Sequence, residues 1–159
     1  MADNMIDSSR LSKYSLFGGL MMEQIDEILP LMKYETYAAG EDIITEGEKN
    51  DRIRFIISGQ AEVFKNALVL AECQTGDIVG EMEVLDMLPS AATVRAINPV
   101  EIASLSNTTL HEIYKQDIKA FSLIVMNLAR DLARRLHRAD ELATGSKGET
   151  LQRSEYFIS

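Results

Sequence analysis

The chain has 159 residues, 46% of them hydrophobic, and a formal net charge of −9. This length supports one well-buried core, and the acidic balance disfavours nucleic acid as a partner, because such binding depends on neutralising phosphates. No apolar run approaches the ~20 residues that span a bilayer, no signal peptide precedes the first helix, and the single Cys73 forms no internal disulfide, so the sequence predicts a cytoplasmic protein with no membrane partner.

The N-terminal part of the chain predicts a short segment over 1–15 and then a helix. In "MMEQIDEILPLM", Met22, Ile25 and Ile28 recur at helical spacing. Pro30 ends this pattern, because proline lacks the amide hydrogen that a helix interior needs. The domain itself is predicted to cover residues 16–142.

From Lys33 the pattern changes to short strands separated by glycines. In "RIRFII" at 52–57, apolar residues at odd positions alternate with arginines, which is typical of a half-buried strand. "QAEVF" and "LVLAE" flank "KNA", which predicts a hairpin. Several short strands at this spacing indicate a mainly β fold, a barrel or jelly roll.

Two helices are predicted after the last strand. Asn107 is a suitable N-cap for a helix through "TTLHEIYKQ", and Asp117 for a long helix over 118–142, with Gly145 as its stop. Residues 143–159 are expected to form a flexible C-terminal tail, in which 156–158 are apolar.

The long helix carries an apolar stripe at alternating four- and three-residue spacing: Phe121, Val125, Leu128 and Leu132. This spacing is typical of a coiled-coil seam, so the stripe predicts a homodimer interface. The alternative is that the same face packs on the chain's own barrel. The arginines between these positions are interpreted as a solvated flank of the helix.

Several motifs occur along the chain in the same order as in a known protein family. Tyr37-x2-Gly40-x2-Ile43, "FIISG" at 55–59, "GD" at 76–77 and "GEM…P-x-AATVRA" at 80–96 resemble the cyclic nucleotide-binding domain family. "LARRL" at 132–136 is similar to the dimerising helix of its catabolite activator class. The resemblance implies an eight-stranded β-roll with flanking helices, a long C-terminal helix, and a ligand pocket under a short helix after Gly80.

The resemblance also implies the ligand positions, which are Gly80, Glu81, Met82, Glu83, Ser90, Ala91, Ala139 and Asp140. In the family, the carboxylate at Glu81 binds the ribose, and an arginine after the proline neutralises the cyclic phosphate. Ser90 stands in place of that arginine here. Ala139 and Asp140 stand where the catabolite activator class has a hydroxyl pair that reads adenine.

The predicted pocket therefore lacks its cation and has gained a carboxylate, Glu83. Loss of a charge-assisted pair to phosphate predicts weak or absent binding of cyclic AMP and cyclic GMP. Glu83 points either into the pocket, where it repels an anion, or to solvent. Arg95 either serves as a substitute cation or is turned away from the pocket by strand alternation.

Enzymatic and metal-binding functions lack support in the sequence. His111 and His137 are interpreted as surface residues, and the carboxylates at 81, 83 and 86 lack the regular spacing of a calcium loop. The residues after the long helix are too few for the DNA-binding module of the catabolite activator class. The sequence therefore predicts a dimeric regulatory module with an unidentified protein partner, no cofactor and no metal; the alternatives are a true small-molecule receptor with a non-standard phosphate site and an enzyme.

Overall fold

Eight strands form two antiparallel sheets in residues 6–145, the part of the chain that the computed structural model describes. One sheet has the order β1-β8-β3-β6 and the other β2-β7-β4-β5. The strands are β1 (Lys33–Tyr37), β2 (Asp42–Ile44), β3 (Arg52–Ser58), β4 (Ala61–Lys65), β5 (Leu68–Cys73), β6 (Ile78–Val79), β7 (Thr93–Ala96) and β8 (Val100–Ser106).

Five α-helices flank the strands in this part of the chain. They are α1 (Ser8–Leu11), α2 (Met22–Ile28), α3 (Glu81–Asp86), α4 (Asn107–Gln116) and α5 (Ile118–Gly145). The predicted mainly β architecture, an eight-stranded roll with flanking helices and a long C-terminal helix, is confirmed. None of these helices has the length and apolarity needed to cross a bilayer.

Strand β3 separates two hydrophobic cores. Ile53 and Phe55 belong to the core that the strands share with the helices, whereas Ile56 belongs to the core between the two sheets with Ile102. Successive side chains of a strand point to opposite faces, so one strand can serve both cores. The face of β3 that carries Ile56 is therefore buried as well, whereas the alternating pattern predicts burial of the opposite face alone.

The predicted hairpin is formed by β4 and β5. Lys65 pairs with Leu68 across a two-residue turn. Its residues, Asn66 and Ala67, have φ of 51° and 64°. Positive φ at both central positions matches the right-handed twist of the two strands.

The helix ends lie where proline and capping residues predict them, except at the N-terminus of α4. α2 stops before Pro30, as predicted, and Asp117 accepts a hydrogen bond from the backbone N–H of Ala120 at 3.0 Å, which caps α5. The prediction of Asn107 as the cap of α4 is wrong by one residue. Ser106 Oγ accepts from the N–H of Thr109 at 3.1 Å instead.

Two predicted boundaries also change. α5 extends beyond 142 to Gly145, the residue predicted as its stop, so 143–145 belong to the helix and not to the predicted tail. Leu11 is fully buried in the core between strands and helices, so the packed domain starts before Leu16. Asn127 ties α5 to this N-terminal part, because its Nδ2 donates to the carbonyl oxygens of Leu16 and Gly18, each at 2.9 Å. The predicted tail beyond Gly145 lies outside the described residues.

Candidate functional site

Gly80 connects β6 to α3 and fixes where α3 begins. It has φ of +83°, a left-handed conformation that favours glycine. The side chain of Asn50 donates to the carbonyl oxygen of Gly80 at 3.1 Å and to that of Arg52 at 2.9 Å. A Cβ at Gly80 would lie 2.5 Å from the Asn50 amide nitrogen and 2.7 Å from the Arg52 carbonyl oxygen. This turn therefore requires glycine.

Glu81, the first residue of α3, is buried and paired with a residue from α5. Its carboxylate accepts a hydrogen bond from the guanidinium of Arg135. Arg135 Nη2 also donates to the carbonyl oxygen of Ile78 at 2.6 Å and lies 2.9 Å from Oδ2 of Asp131. One guanidinium therefore joins β6, α3 and α5.

Burial disfavours the charged form of the Glu81 carboxyl group. Burial raises the pKa of Glu81 above its ordinary value of 4.5, and the guanidinium of Arg135 offsets part of this effect. The carboxylate retains acceptor capacity beyond Arg135, since an ionised carboxylate has about four lone-pair sites. It can therefore accept a hydrogen bond from a hydroxyl donor as well as hold the helix.

Sequence reasoning did not identify Arg135 as a site residue. The available signals were its position one helical turn after Asp131 and its place in "LARRL". The sequence does not show which of Arg134 and Arg135 faces the roll. That choice depends on the rotation of α5 about its axis, which packing of α5 on the roll decides.

A cleft of about 730 Å³ lies beside this ion pair, between the sheet β2-β7-β4-β5, α3 and the last turns of α5. This volume falls within the ~300–1,000 Å³ typical of small-molecule sites. The cleft is lined by six of the eight predicted ligand positions, namely Gly80, Glu81, Met82, Glu83, Ala91 and Ala139.

The other two predicted positions do not line the cleft. Asp140 is exposed on α5. Ser90 is 3% exposed, and its Oγ has no hydrogen-bond partner in the part of the chain described. Its backbone is held between Glu48 and Gly47, whose carbonyl oxygen and N–H bond to it at 2.9 and 2.8 Å. Both predictions are corrected, because side-chain direction is set by the backbone and not by motif position.

The charges of the cleft are mainly negative. Glu83 is among the residues that line it. Among the described residues, the lining has five carboxylates and three cations: Glu72, Asp77, Glu81, Glu83 and Asp131, against Lys65, Arg135 and Arg138. Arg135 is already engaged with two of these carboxylates, Glu81 and Asp131, which leaves Lys65 and Arg138 as the other cations of the lining.

Arg95 does not replace the missing cation. Its Nε lies 2.7 Å from Oδ1 of Asp42, and its guanidinium lies over the ring of Phe64, 4.6 Å from the centroid. It is not among the residues that line the cleft. Of the two alternatives for Arg95, the second therefore holds, because strand alternation turns its side chain to the outer face of β7.

Cys73 is part of both the core between the sheets and the wall of the cleft. It is 8% exposed, and burial raises the pKa of its thiol to about 11. The thiol is therefore uncharged at neutral pH and acts as a small apolar residue, as the sequence predicts.

The predicted seam on α5 is divided between two faces. Leu128 is 2% exposed and packs in the chain's own core, with Phe121 packed against that core. Val125 is 38% exposed, and Leu132 is half-buried. The assignment of Leu128 to a dimer interface is corrected, because burial within one chain leaves it unavailable to another.

Comparison with known proteins agrees with the resemblance that the sequence motifs indicate. A family model described as "Cyclic nucleotide-binding domain" matches residues 34–117. The chain is 32% identical over 149 residues to the "Cyclic AMP receptor protein" of Thermus thermophilus, covering 90% of this chain and 67% of that protein.

Two further similarities extend this result. The chain is 31% identical to a "cAMP-dependent protein kinase regulatory subunit" of Debaryomyces hansenii over 62% of its own length, but it spans only 22% of that protein. The crystal structure of a cyclic nucleotide-binding domain from Methylobacillus flagellatus superposes with a TM-score of 0.78 at 25% identity, covering 90% of this chain and 84% of that chain. The shared part is thus the ligand-binding fold.

Proposed function

Because the chain belongs to the cyclic nucleotide-binding domain family, we propose that it is a dimeric regulatory module in which binding of cyclic AMP and cyclic GMP is weakened or lost. We also propose that the chain has no enzymatic activity and that a protein partner detects changes in how α5 is held. The observation that carries the proposal is the charge of the cleft, where Glu83 lies and a cation after Pro89 does not.

The physical argument concerns the phosphate. A cyclic nucleotide brings one negative charge, which needs a charge-assisted partner once it is removed from water. Ser90 supplies no such charge, and its hydroxyl is buried away from the lining. Without this pair, binding loses a few kcal/mol, and Glu83 adds like-charge repulsion.

Arg135 supports a regulatory role for the cleft. An occupant that donates a hydrogen bond to Glu81 shares this carboxylate with Arg135, the residue that joins α5 to α3 and β6. Occupation of the cleft would then change how firmly the end of α5 is held. A partner that contacts α5 would detect this change.

The exposed face of α5 supports a homodimer. Val125, Ala129, Leu132 and Leu136 follow the alternating four- and three-residue spacing of a coiled-coil seam. Val125 and Leu136 are 38% and 37% exposed, so this stripe, rather than the one containing Leu128, is available to a second copy. The stripe lies on the helix that also lines the cleft.

Calorimetric titration of the full chain with cyclic AMP and with cyclic GMP tests the proposal. We expect no saturable binding at micromolar nucleotide. Micromolar affinity would contradict it and favour the alternative, a true receptor with a non-standard phosphate site. Lys65 and Arg138 are the observation behind that alternative, because both line the cleft and neither forms an ion pair within residues 6–145. Replacing each with alanine would then abolish the binding.

A further inference from the structure

An exposed apolar surface lies on α3 and on the loop that follows it. Met82 and Leu85 are exposed, and their spacing of three residues places them on one face of this short helix. Met87 and Leu88, directly after the helix, are exposed as well. Single apolar side chains on a surface are common, but a group of large ones this close together is typical of an interaction site. We call these four residues the α3 patch.

The backbone at Met87 holds its side chain in solvent. Met87 ends α3 with φ of 60°, a left-handed conformation that glycine adopts freely and other residues adopt at a steric cost. Its N–H donates to the carbonyl oxygen of Glu83 at 2.9 Å, which closes the helix. Glycine is the common residue at such a position. Because the Met87 side chain is 81% exposed, it contributes little to packing, which indicates a use outside the fold.

The surroundings of the α3 patch are net negative. The N–H of Ser90 donates to the carbonyl oxygen of Glu48 at 2.9 Å, so the loop after α3 rests on the turn at 46–48. Lys49 is an exposed cation beside this turn, and no lysine or arginine occurs in 80–92. The carboxylates next to the patch form no ion pair within residues 6–145; they are Glu83 and Asp86 on α3, and Glu46 and Glu48 in the turn.

We propose that the α3 patch docks a peptide segment of a partner protein in which apolar side chains are flanked by lysines or arginines. The apolar side chains of this segment pack on Met87 and Leu88, and its cations face the surrounding carboxylates. A membrane surface fits less well, because its anionic lipids repel the same carboxylates. The inference rests on the proposed function in one respect, the existence of a protein partner, and it names the chemistry of that partner.

Helix α3 connects the α3 patch to the cleft. Met82 belongs to both, because it lines the cleft. Glu81, at the start of α3, accepts a hydrogen bond from Arg135 and thereby ties the helix to α5. A ligand that shifts α3 therefore changes the affinity of the α3 patch for the partner. The partner changes the affinity for that ligand by the same factor, because coupling between two sites is reciprocal.

A model peptide tests the chemistry of the partner. The probe is a fluorescein-labelled amphipathic peptide of about 14 residues, with leucine on one helical face and lysine on the other. A second peptide carries glutamate in place of every lysine. In fluorescence anisotropy with the full chain, we expect saturable binding of the lysine peptide and at least about tenfold weaker binding of the glutamate peptide. Equal affinity for the two peptides, or no binding of the lysine peptide, would overturn the proposal.

Met87→Gly tests whether the peptide binds at the α3 patch. This change removes the most exposed side chain of the patch and relieves the left-handed backbone. We expect the Kd of the lysine peptide to rise at least about fivefold, while the melting temperature does not fall. Ala67→Gly is the matched control, because Ala67 has φ of 64° in the hairpin turn, outside the patch. It should leave the Kd unchanged.

Two results would contradict this location. An unchanged Kd in Met87→Gly would mean that the lysine peptide binds elsewhere on the acidic surface. Sedimentation of the wild type, but not of Met87→Gly, with phosphatidylserine vesicles, in the absence of peptide binding, would assign the α3 patch to a membrane.

The two proposals fail separately. The peptide assay uses no nucleotide, so micromolar binding of cyclic AMP in calorimetry contradicts the proposed function whatever the peptide does. A lysine peptide that does not bind at the α3 patch contradicts this inference alone.

Discussion

The guanidinium of Arg135 binds the buried carboxylate of Glu81, from a position 54 residues later in the chain. Glu81 is 2% exposed on its side chain, whereas Arg135 is 37% exposed. The pair connects the first turn of α3 to the second half of α5, which are the two helices on opposite sides of the cleft. The stability of the cleft and its response to a ligand therefore depend on the same contact.

Replacing Arg135 with leucine should destabilise the protein, because Glu81 would remain buried without its cation. We expect a loss of about 1–3 kcal/mol in the free energy of unfolding, less than for a fully buried pair because Arg135 is partly exposed. Urea unfolding measures this loss. Arg134→Leu is the control, since Arg134 is exposed and forms no ion pair within residues 6–145. Glu81→Gln should recover part of the loss in the double variant; additive effects would show that the pair is not coupled.

The raised pKa of Glu81 predicts a pH dependence with a definite sign. The folded state binds a proton at Glu81 more readily than the unfolded state does, so this residue favours folding below about pH 4.5 and loses that contribution as pH rises through its folded pKa. Glu81→Gln should therefore gain stability relative to the wild type as pH increases towards 7. Unfolding free energies of both proteins across this range test it. A relative loss by the variant would mean that Arg135 outweighs burial.

Comparing Gly80→Ala with Gly47→Ala separates the effect of steric crowding on stability from the effect of backbone strain. Both glycines have φ of +83°, but a Cβ at Gly47 meets no atom within 4 Å, whereas one at Gly80 meets Asn50 and the Arg52 carbonyl. We expect about 1 kcal/mol of destabilisation at Gly47 and at least about 2 kcal/mol at Gly80. Thermal unfolding compares them. Equal losses would show that the neighbours of Gly80 move aside without cost.

Introducing a cation at Ser90 and removing the carboxylate at Glu83 should create cyclic AMP binding. The expected gain for Ser90→Arg with Glu83→Ala is about 2–4 kcal/mol, or about 30- to 1000-fold in Kd. Calorimetry on the wild type, the two single variants and the double variant measures it. Each single change should give less than the pair, because one adds a cation next to Ala91, which lines the cleft, and the other removes a carboxylate from the lining.

The control for this series is a measurement of whether each variant remains folded. Ser90 is buried, so the melting temperature of each variant must be recorded beside its Kd. A folded double variant without binding would contradict the missing-cation argument.

Charges at Val125 and Leu128 should have different effects. Val125→Glu lies on the exposed face of α5, so it should dissociate the proposed dimer while leaving the melting temperature nearly unchanged. Leu128→Glu lies in the chain's own core and should unfold the protein at a cost of several kcal/mol. Sedimentation and thermal unfolding distinguish the two. A wild type that stays monomeric at high micromolar concentration would contradict the dimer.

Much of the fold could be predicted from local patterns. Glycine spacing, strand alternation, the two-residue turn after Lys65 and the cap at Asp117 each depend on residues close together in the chain. Such features follow from steric and hydrogen-bonding rules that act over a few residues. The shift of the α4 cap to Ser106 shows their limit, since two adjacent residues were both suitable caps.

The candidate site was predicted mainly where its residues follow one another, and Ala139 on α5 is the exception. Gly80 through Glu83 and Ala91 were identified from one stretch, and the structure places them at the cleft. Arg135 was missed and Asp140 was misplaced, because their positions depend on how α5 rotates and packs against the roll.

The sequence by itself determined the roll and the long helix, because these depend on residue type and on short-range spacing. Only the tertiary structure decided that Glu83 lies at the cleft, that Arg95 turns away to Asp42, and that Leu128 serves the core instead of a second copy. The physical reason is that side-chain direction on a helix or strand becomes functional only when another element lies opposite it. Which element lies opposite is settled by long-range packing, and no local pattern records it.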